Sequence, residues 1–154
     1  MSKCVIFMVG IPASGKSTFV SQNSSVKTFC ISRDQIRRYY NDKLSEVEVT
    51  AKFEQMIELA MLRPGIETLF IDNTNLKQHY ILSIMNKCKE FCNDCKFFIK
   101  IFDTDYNICL KRNAKRNGVE RVPDHVMYNM KLNFDKFIND VDKFCIKNNI
   151  NIIK

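Results

Sequence analysis

The run Gly10-Ile11-Pro12-Ala13-Ser14-Gly15-Lys16-Ser17 satisfies the pattern G-x-x-x-x-G-K-[ST] in full. Residue types in this order can do one particular piece of chemistry. The glycines let the backbone curl until its N–H groups point inward at phosphate oxygens. A helix opening at the lysine adds its positive end. Lys16 is placed to reach the β- and γ-phosphates of a nucleotide, and the Ser17 hydroxyl to ligate Mg²⁺. A phosphate loop alone does not separate phosphoryl transfer from switching, motor action or simple binding, so other residues must decide.

Asp34 is the first of these. Ser32 and Gln35 form a capping-box pair that accounts for the start of the helix around it, which leaves Asp34 free. Phosphoryl transfer to an alcohol needs a carboxylate that orients the hydroxyl and accepts its proton. Arg37 and Arg38 follow three and four residues later, on the same helix face. Either can hold Asp34 ionised or bind a phosphate of the acceptor. Lys111-Arg112-Asn113-Ala114-Lys115-Arg116 is a basic helical segment with Arg112 and Arg116 on one face, and Gly118 allows residues 111–122 to hinge as a lid over the donor phosphates. Asp72 ends an apolar run and is followed by Asn73, Thr74 and Asn75. It can act on Mg²⁺ through water, with the three neutral residues bonding at the same edge.

Other clusters are set aside. Cys88, Cys92 and Cys95 share a helical face and lack a local fourth ligand, so buried thiols explain them better than zinc. Asp103-Thr104-Asp105 follows an apolar run as an aspartyl-phosphatase motif would, but Tyr106-Asn107 does not continue that pattern. His79 and His125 stand alone.

The elements that must position these residues alternate. Apolar runs at Cys4–Val9, Thr28–Ile31, Thr68–Ile71, Phe97–Phe102 and Ile150–Ile153 read as strands. Helical stretches cover Lys16–Ser24, a segment from Ser32, Val47–Leu62, Leu76–Phe91, Asp105–Arg116 and Pro123 to about Cys145. Such alternation predicts an α/β architecture: a doubly wound, mostly parallel sheet of four to five strands with helices on both faces. Ligands in these sheets bind beyond the carboxyl ends of the strands, where the polar clusters above can converge.

The 154 residues suit one domain, and 45% hydrophobic residues suffice for a core. A net charge of +7 favours polyanionic partners without choosing among them. No stretch reaches the roughly 18 apolar residues of a membrane span, and the start is too short for a signal peptide, so a cytoplasmic, reducing location is expected. Seven cysteines, an odd number, fit free thiols.

The ordered set resembles the kinase domain of phage and animal polynucleotide 5′-kinases, from about Lys3 into the last long helix. Gly10 through Thr18 matches their loop. Ser32-Arg33-Asp34-Gln35-Ile36-Arg37 is similar to their R-D-x-x-R segment, Asp72-Asn73-Thr74-Asn75 to their D-N-T-N, and Lys111 to Arg116 to the phage K-R-N-x-K-R lid. Val122-Pro123 matches the exit from that lid. The resemblance implies that Gly10, Pro12, Ala13, Ser14, Gly15, Lys16, Ser17, Thr18, Arg112 and Arg116 bind the nucleotide. It implies that Asp34 is the general base, that Arg37 contacts an acceptor phosphate with Asp72, Asn73 and Thr74 nearby, and that Arg116, helped by Arg112, contacts the donor phosphates. An offset leaves open whether Asp72 or Asn73 takes the place of the phage aspartate. The resemblance does not extend to the phosphatase domain of the phage enzyme.

Taken together, the expectation is a P-loop kinase of one domain spanning 1–154. It would use ATP and Mg²⁺ to phosphorylate 5′-hydroxyl ends of DNA or RNA, as in nucleic-acid repair. Two alternatives remain at this point: a kinase of a nucleoside, a sugar or aminoacyl-tRNA, and a nucleotide-dependent binding protein without catalysis.

Overall fold

The computed structural model describes residues 2–154. In chain order the elements are β1 (Lys3–Val9), α1 (Lys16–Gln22), β2 (Thr28–Ile31), α2 (Arg33–Tyr39), α3 (Glu46–Leu62), β3 (Thr68–Ile71), α4 (Gln78–Phe91), β4 (Cys95–Ile101), α5 (Tyr106–Ala114), a 3-10 turn (Gly118–Glu120), α6 (Asp124–Asn148) and β5 (Ile150–Ile153). The five strands form one sheet in the order β2-β3-β1-β4-β5. Every pairing is parallel, so the expected mostly parallel sheet is wholly parallel. Among the described residues, no helix is long and apolar enough to cross a membrane.

The centre of the sheet is set by β1. Its side chains alternate, Val5, Phe7 and Val9 to one face and Ile6 and Met8 to the other. Val5, Phe7, Met8 and Val9 are all fully buried, which is why this strand reads as a continuous apolar run rather than an alternating one. The two faces are covered unequally. Val5, Phe7, Val9, Leu69, Ile71, Phe97 and Ile99 pack with residues of α3, α4 and α6 in the main core. On the opposite face, Met8 and Phe70 pack with Val20 and Phe19 of α1. Phe19 makes edge contacts with Phe70 and Phe102, at ring separations of 6.4 and 5.6 Å, and so anchors the helix that carries Lys16. The long helix α6 buries Met127, Phe134, Phe137, Val141 and Phe144, the three-and-four spacing of a single apolar stripe.

Two polar side chains fix the frame at opposite ends of the sheet. Lys3 is almost wholly buried. Its ammonium donates to the carbonyls of Ala60, Arg63 and Ile66 at 3.1, 2.6 and 2.6 Å, and so satisfies the end of α3 from a neighbouring strand. Asn75 is 5% exposed and has φ 52°, a left-handed conformation that asparagine tolerates better than most residues. Its Nδ2 donates to Met8 O at 2.7 Å and Ile71 O at 3.1 Å. It thereby ties the carboxyl ends of β1 and β3 together beneath the cleft.

Differences from the sequence expectation lie at element ends. The helix expected from Leu76 starts at Gln78, because Asn75 leaves the chain left-handed and Lys77 is extended. The strand expected over Phe97–Phe102 begins earlier, at Cys95. Ser32 accepts from Gln35 N at 3.3 Å, but only that half of the expected capping box forms. The complete box is Ser45 with Glu48 at the head of α3. Replacing Asn75 by Leu is expected to cost roughly 2–4 kcal/mol, through orphaned carbonyls and a strained backbone. Asn75→Gly, which keeps the φ but not the bonds, should cost less. Urea denaturation of both variants measures the two parts.

Candidate active site

A cleft of about 1110 Å³ opens beyond the carboxyl ends of the strands and is lined by Pro12 to Thr18, Asp34, Arg37, Arg38, Asp72, Asn73, Thr74, Arg112, Arg116 and residues 119–122. The structure thus gathers the site residues expected from the sequence into one cavity except Gly10, which lies beneath the loop, and Asn75, which is buried under the cleft. A Cβ at Gly10 would sit 2.6 Å from Ser14 Oγ and 3.0 Å from Phe102 Cβ. This glycine is needed for close packing, where the others serve the turn. Gly15 has φ 104° and leads directly into α1.

Internal hydrogen bonds hold the loop open. Lys16 Nζ donates to Gly10 O at 3.0 Å and Ile11 O at 2.7 Å. Gly10 N donates to Thr74 O at 3.2 Å, Thr104 Oγ1 to Ser14 O at 2.7 Å, and Arg112 Nη1 to Ala13 O at 3.2 Å. Ala13 itself has φ 64°, a strained position for a residue with a Cβ. The Ser14 hydroxyl is buried with no hydrogen-bond partner among the described residues, so what Ser14 can offer the cleft is its backbone N–H. Lys16 keeps part of its stem exposed, but its ammonium is sunk in the loop. Burial pulls it down to about 8, against the attraction of Asp72, while Arg116 pushes in the same direction as burial.

Ser17 Oγ donates to Asp72 Oδ2 at 3.0 Å. A hydroxyl and a carboxylate at the rim of a phosphate loop are hard oxygen donors of the kind Mg²⁺ takes, with phosphate oxygens and water completing its shell. The neighbouring Asn73 turns the other way: its Oδ1 accepts from Arg33 N at 3.0 Å, which caps α2 from β3. The D-N-T-N segment therefore splits its work, Asp72 toward the phosphate loop and Asn73 toward the helix that carries Asp34.

On α2, Asp34 accepts from Arg37 Nη1 at 2.7 Å. Arg37 also donates through Nε and Nη2 to both oxygens of Glu46, at 3.0 and 2.9 Å. Arg38 reaches across the cleft to Glu120 at 2.9 Å. Sequence reasoning missed Glu46, Glu120 and Asn113. Asn113 is fully buried and grips the backbone of Val122 both ways: Nδ2 to Val122 O at 2.7 Å, and Val122 N to Oδ1 at 3.0 Å. A buried asparagine inside a basic run is the signal that could have exposed it, since a buried amide demands partners. This clamp closes the base of the expected lid. Residues between Ala114 and Arg121 form the arc beyond the clamp, tied to α2 through Glu120, with Gly118 at φ 57°.

The rejected clusters have structural explanations. Thr104 braces the phosphate loop, and Asp105 Oδ1 accepts from the N–H groups of Asn107 and Ile108 as the cap of α5. Cys88 is buried in the main core, where burial pushes its thiol up to about 12, and Cys95 donates to Cys92 O at 3.1 Å.

Two outcomes follow from this geometry. The folded state holds Lys16 below its ordinary 10.5, so its charge costs stability below about pH 8. That cost is relieved as pH rises toward the unfolded value. Lys16→Met should therefore raise the melting temperature of the ligand-free, metal-free protein at neutral pH, with an advantage that shrinks between pH 8 and 10.5. A gap that stays constant with pH would contradict a buried ammonium. Asn113→Ala would orphan both backbone groups of Val122, at about 1–3 kcal/mol, and loosen the turn above it. Trypsin should then cut near Lys115, Arg116 or Arg121 faster than the loss of global stability accounts for.

No curated protein matches the sequence at a significant level. Solved structures share the fold. The chain is similar to one in the Pnkp1/Rnl/Hen1 RNA repair complex, with 22% identity, TM-score 0.69 and 90% of this chain covered. It spans only 46% of that chain's length. It is also similar to a fungal RNA kinase, with 18% identity, TM-score 0.60, and 86% of this chain and 65% of that one covered. A third likeness is to deoxyadenosine kinase from M. mycoides with bound dATP, with 14% identity, TM-score 0.51, and 97% and 90% covered. The α/β P-loop fold is shared with these chains, and the likeness read from the sequence recurs in the RNA-repair and RNA-kinase neighbours. Residues 5–137, which contain the phosphate loop, Asp34, Asp72 and the 111–122 segment, match the AAA domain family, and the chain belongs to it.

Proposed function

We propose that this protein is a phosphotransferase that moves the γ-phosphoryl group of ATP onto the 5′-hydroxyl end of a nucleic acid. The observation that carries this reading is the joining of a phosphate loop and an Asp34–Arg37 pair in one cleft, with Asp34, Asp72 and Arg116 all close enough to bias the charge of Lys16. A binding module needs the loop but has no use for a carboxylate and an arginine facing it. The volume exceeds the usual ligand-pocket range of roughly 300–1,000 Å³, which suits a nucleotide together with the end of a second substrate.

On this reading the N–H groups of residues 12–18 and the Lys16 ammonium hold the donor phosphates. Lys16 exchanges its two carbonyl partners for phosphate oxygens. Ser17 and Asp72 would hold Mg²⁺, which when bound neutralises charge on the β- and γ-oxygens. Asp34 accepts the proton of the attacking hydroxyl. As the new O–P bond forms, the bond from the γ-phosphorus to the bridging oxygen breaks, and ADP leaves. Arg112 releases Ala13 O, and with Arg116 it neutralises the transferring group from the 111–122 lid. Arg37 grips a phosphate next to the attacked sugar.

The RNA-repair and RNA-kinase neighbours support a polynucleotide acceptor, as does the +7 charge. The deoxyadenosine kinase likeness, which covers 90% of that enzyme, supports a small-molecule acceptor as the competing reading. Incubation with γ-labelled ATP, Mg²⁺, 5′-hydroxyl DNA and RNA oligonucleotides and a panel of nucleosides and sugars separates the two. Label is expected on an oligonucleotide end, at a rate that falls as salt rises. Label confined to a nucleoside or sugar would overturn the acceptor, and label on nothing would favour the binding module. Asp34→Ala should lower kcat by on the order of 10²–10⁴-fold with ATP binding intact, and Arg116→Ala by on the order of 10³-fold.

A further inference from the structure

Glu46 stands at the first position of α3, outside every motif in the sequence, yet it organises the acceptor wall of the cleft. Its Oε1 accepts from Arg37 Nε at 3.0 Å, and its Oε2 from Arg37 Nη2 at 2.9 Å and from Arg33 Nη2 at 3.1 Å. Arg33 is held further by Thr50 Oγ1 at 3.0 Å and lies over the Phe53 ring. The backbone under Glu46 is fixed by the Ser45–Glu48 capping box. With two guanidinium groups on one carboxylate, the Glu46 acid is held down at about 2, so it is ionised at any working pH.

An isolated exposed ion pair is worth little, and Glu46 is 69% exposed. Geometry sets this one apart. The side-on, two-pronged grip orients the whole plane of the Arg37 guanidinium. Nε and Nη2 are spent on Glu46, and Nη1 gives one N–H to Asp34. Each terminal nitrogen keeps a second N–H, on a residue that lines the cleft. Without Glu46, Asp34 would be the sole carboxylate partner of Arg37, and the guanidinium would be free to fold onto the base it should only flank. The cluster of Asp34, Glu46, Arg33 and Arg37 is electrically balanced, so an incoming phosphate gains from donors already aimed rather than from net charge.

We infer that Glu46 is a positioning residue: it braces Arg37 so that the spare N–H groups of that arginine face a phosphate of the acceptor. The inference rests on the polynucleotide reading above. It also separates two tasks within one segment, with α2 supplying the reacting groups and the head of α3 holding them in place.

A double-mutant cycle tests it, with transfer from ATP to a 5′-hydroxyl oligonucleotide measured for the wild type, Glu46→Ala, Arg37→Ala and the double variant. Glu46→Ala is expected to raise the oligonucleotide KM about tenfold while the ATP KM stays unchanged. In the Arg37→Ala background the same change should add less than about twofold, because its partner is gone. Glu46→Gln, which keeps an acceptor oxygen, should recover part of the loss. A Glu46→Ala enzyme with wild-type oligonucleotide KM would overturn the inference, as would equal losses in both backgrounds, the mark of a merely structural role in α3. A wild-type protein that labels no polynucleotide would overturn the acceptor reading itself, a failure visible before any variant is made.

Discussion

The structure depends on a phosphate loop that keeps its ligand-ready shape through bonds to three other parts of the chain and to its own lysine. A loop with Ala13 at φ 64° carries strain of roughly 1–2 kcal/mol, and it would relax if nothing held it. What holds it is distributed: the Thr74 carbonyl on Gly10 N, the Thr104 hydroxyl on Ser14 O, the Arg112 guanidinium on Ala13 O and the ammonium of Lys16 on Gly10 O and Ile11 O. These partners come from the ends of β3 and β4, from α5 and from the loop itself. The parallel sheet matters to the site because it delivers those ends to one edge. Asn75 then locks β1 to β3 directly below.

The same logic governs the charges. Arg37 rests on Asp34 and Glu46, Arg38 on Glu120, and Arg112 on a loop carbonyl. Each of these cations rests on an acceptor within the protein; on the proposed reading a phosphate replaces the Ala13 carbonyl at Arg112, while Arg37 keeps Asp34 and Glu46 and meets phosphate through its spare N–H groups. A cleft with so many cations would otherwise repel itself. Resting partners keep it compact and oriented, and they limit the rearrangement that binding requires. On the proposed reading, the protein trades internal acceptors for substrate oxygens with little movement of the main chain.

Much of this was legible in the sequence because it is written in local patterns. The phosphate loop is contiguous, the five strands are short apolar runs, and β2 and β3 run from Thr28 to Ile31 and from Thr68 to Ile71 as their residues suggest. Asp34, Arg37, Asp72 and the arginines of the 111–116 segment meet because each follows a strand. What could not be read depends on pairs distant in sequence. Glu46 lies nine residues from Arg37 on another helix, and Glu120 lies 82 residues from Arg38. Lys3 looks like a surface lysine until its three carbonyl partners, some 60 residues away, are seen. The capping box was legible by half: Ser32 caps α2 and accepts from Gln35 N as the spacing suggests, while Asn73, 40 residues away from Arg33, supplies a second cap from outside the helix.

The central claim is that the loop and the Asp34–Arg37 pair serve one reaction in one cleft. The most direct measurement is a crystal structure of the protein with a non-hydrolysable ATP analogue, Mg²⁺ and a short 5′-hydroxyl oligonucleotide. The account predicts triphosphate on the 12–18 backbone, the 5′-hydroxyl at hydrogen-bond distance from Asp34 and in line with the γ-phosphorus, and an acceptor phosphate on Arg37. An oligonucleotide bound elsewhere, or a 5′ end that leaves Asp34 facing solvent beside an occupied nucleotide site, would contradict it.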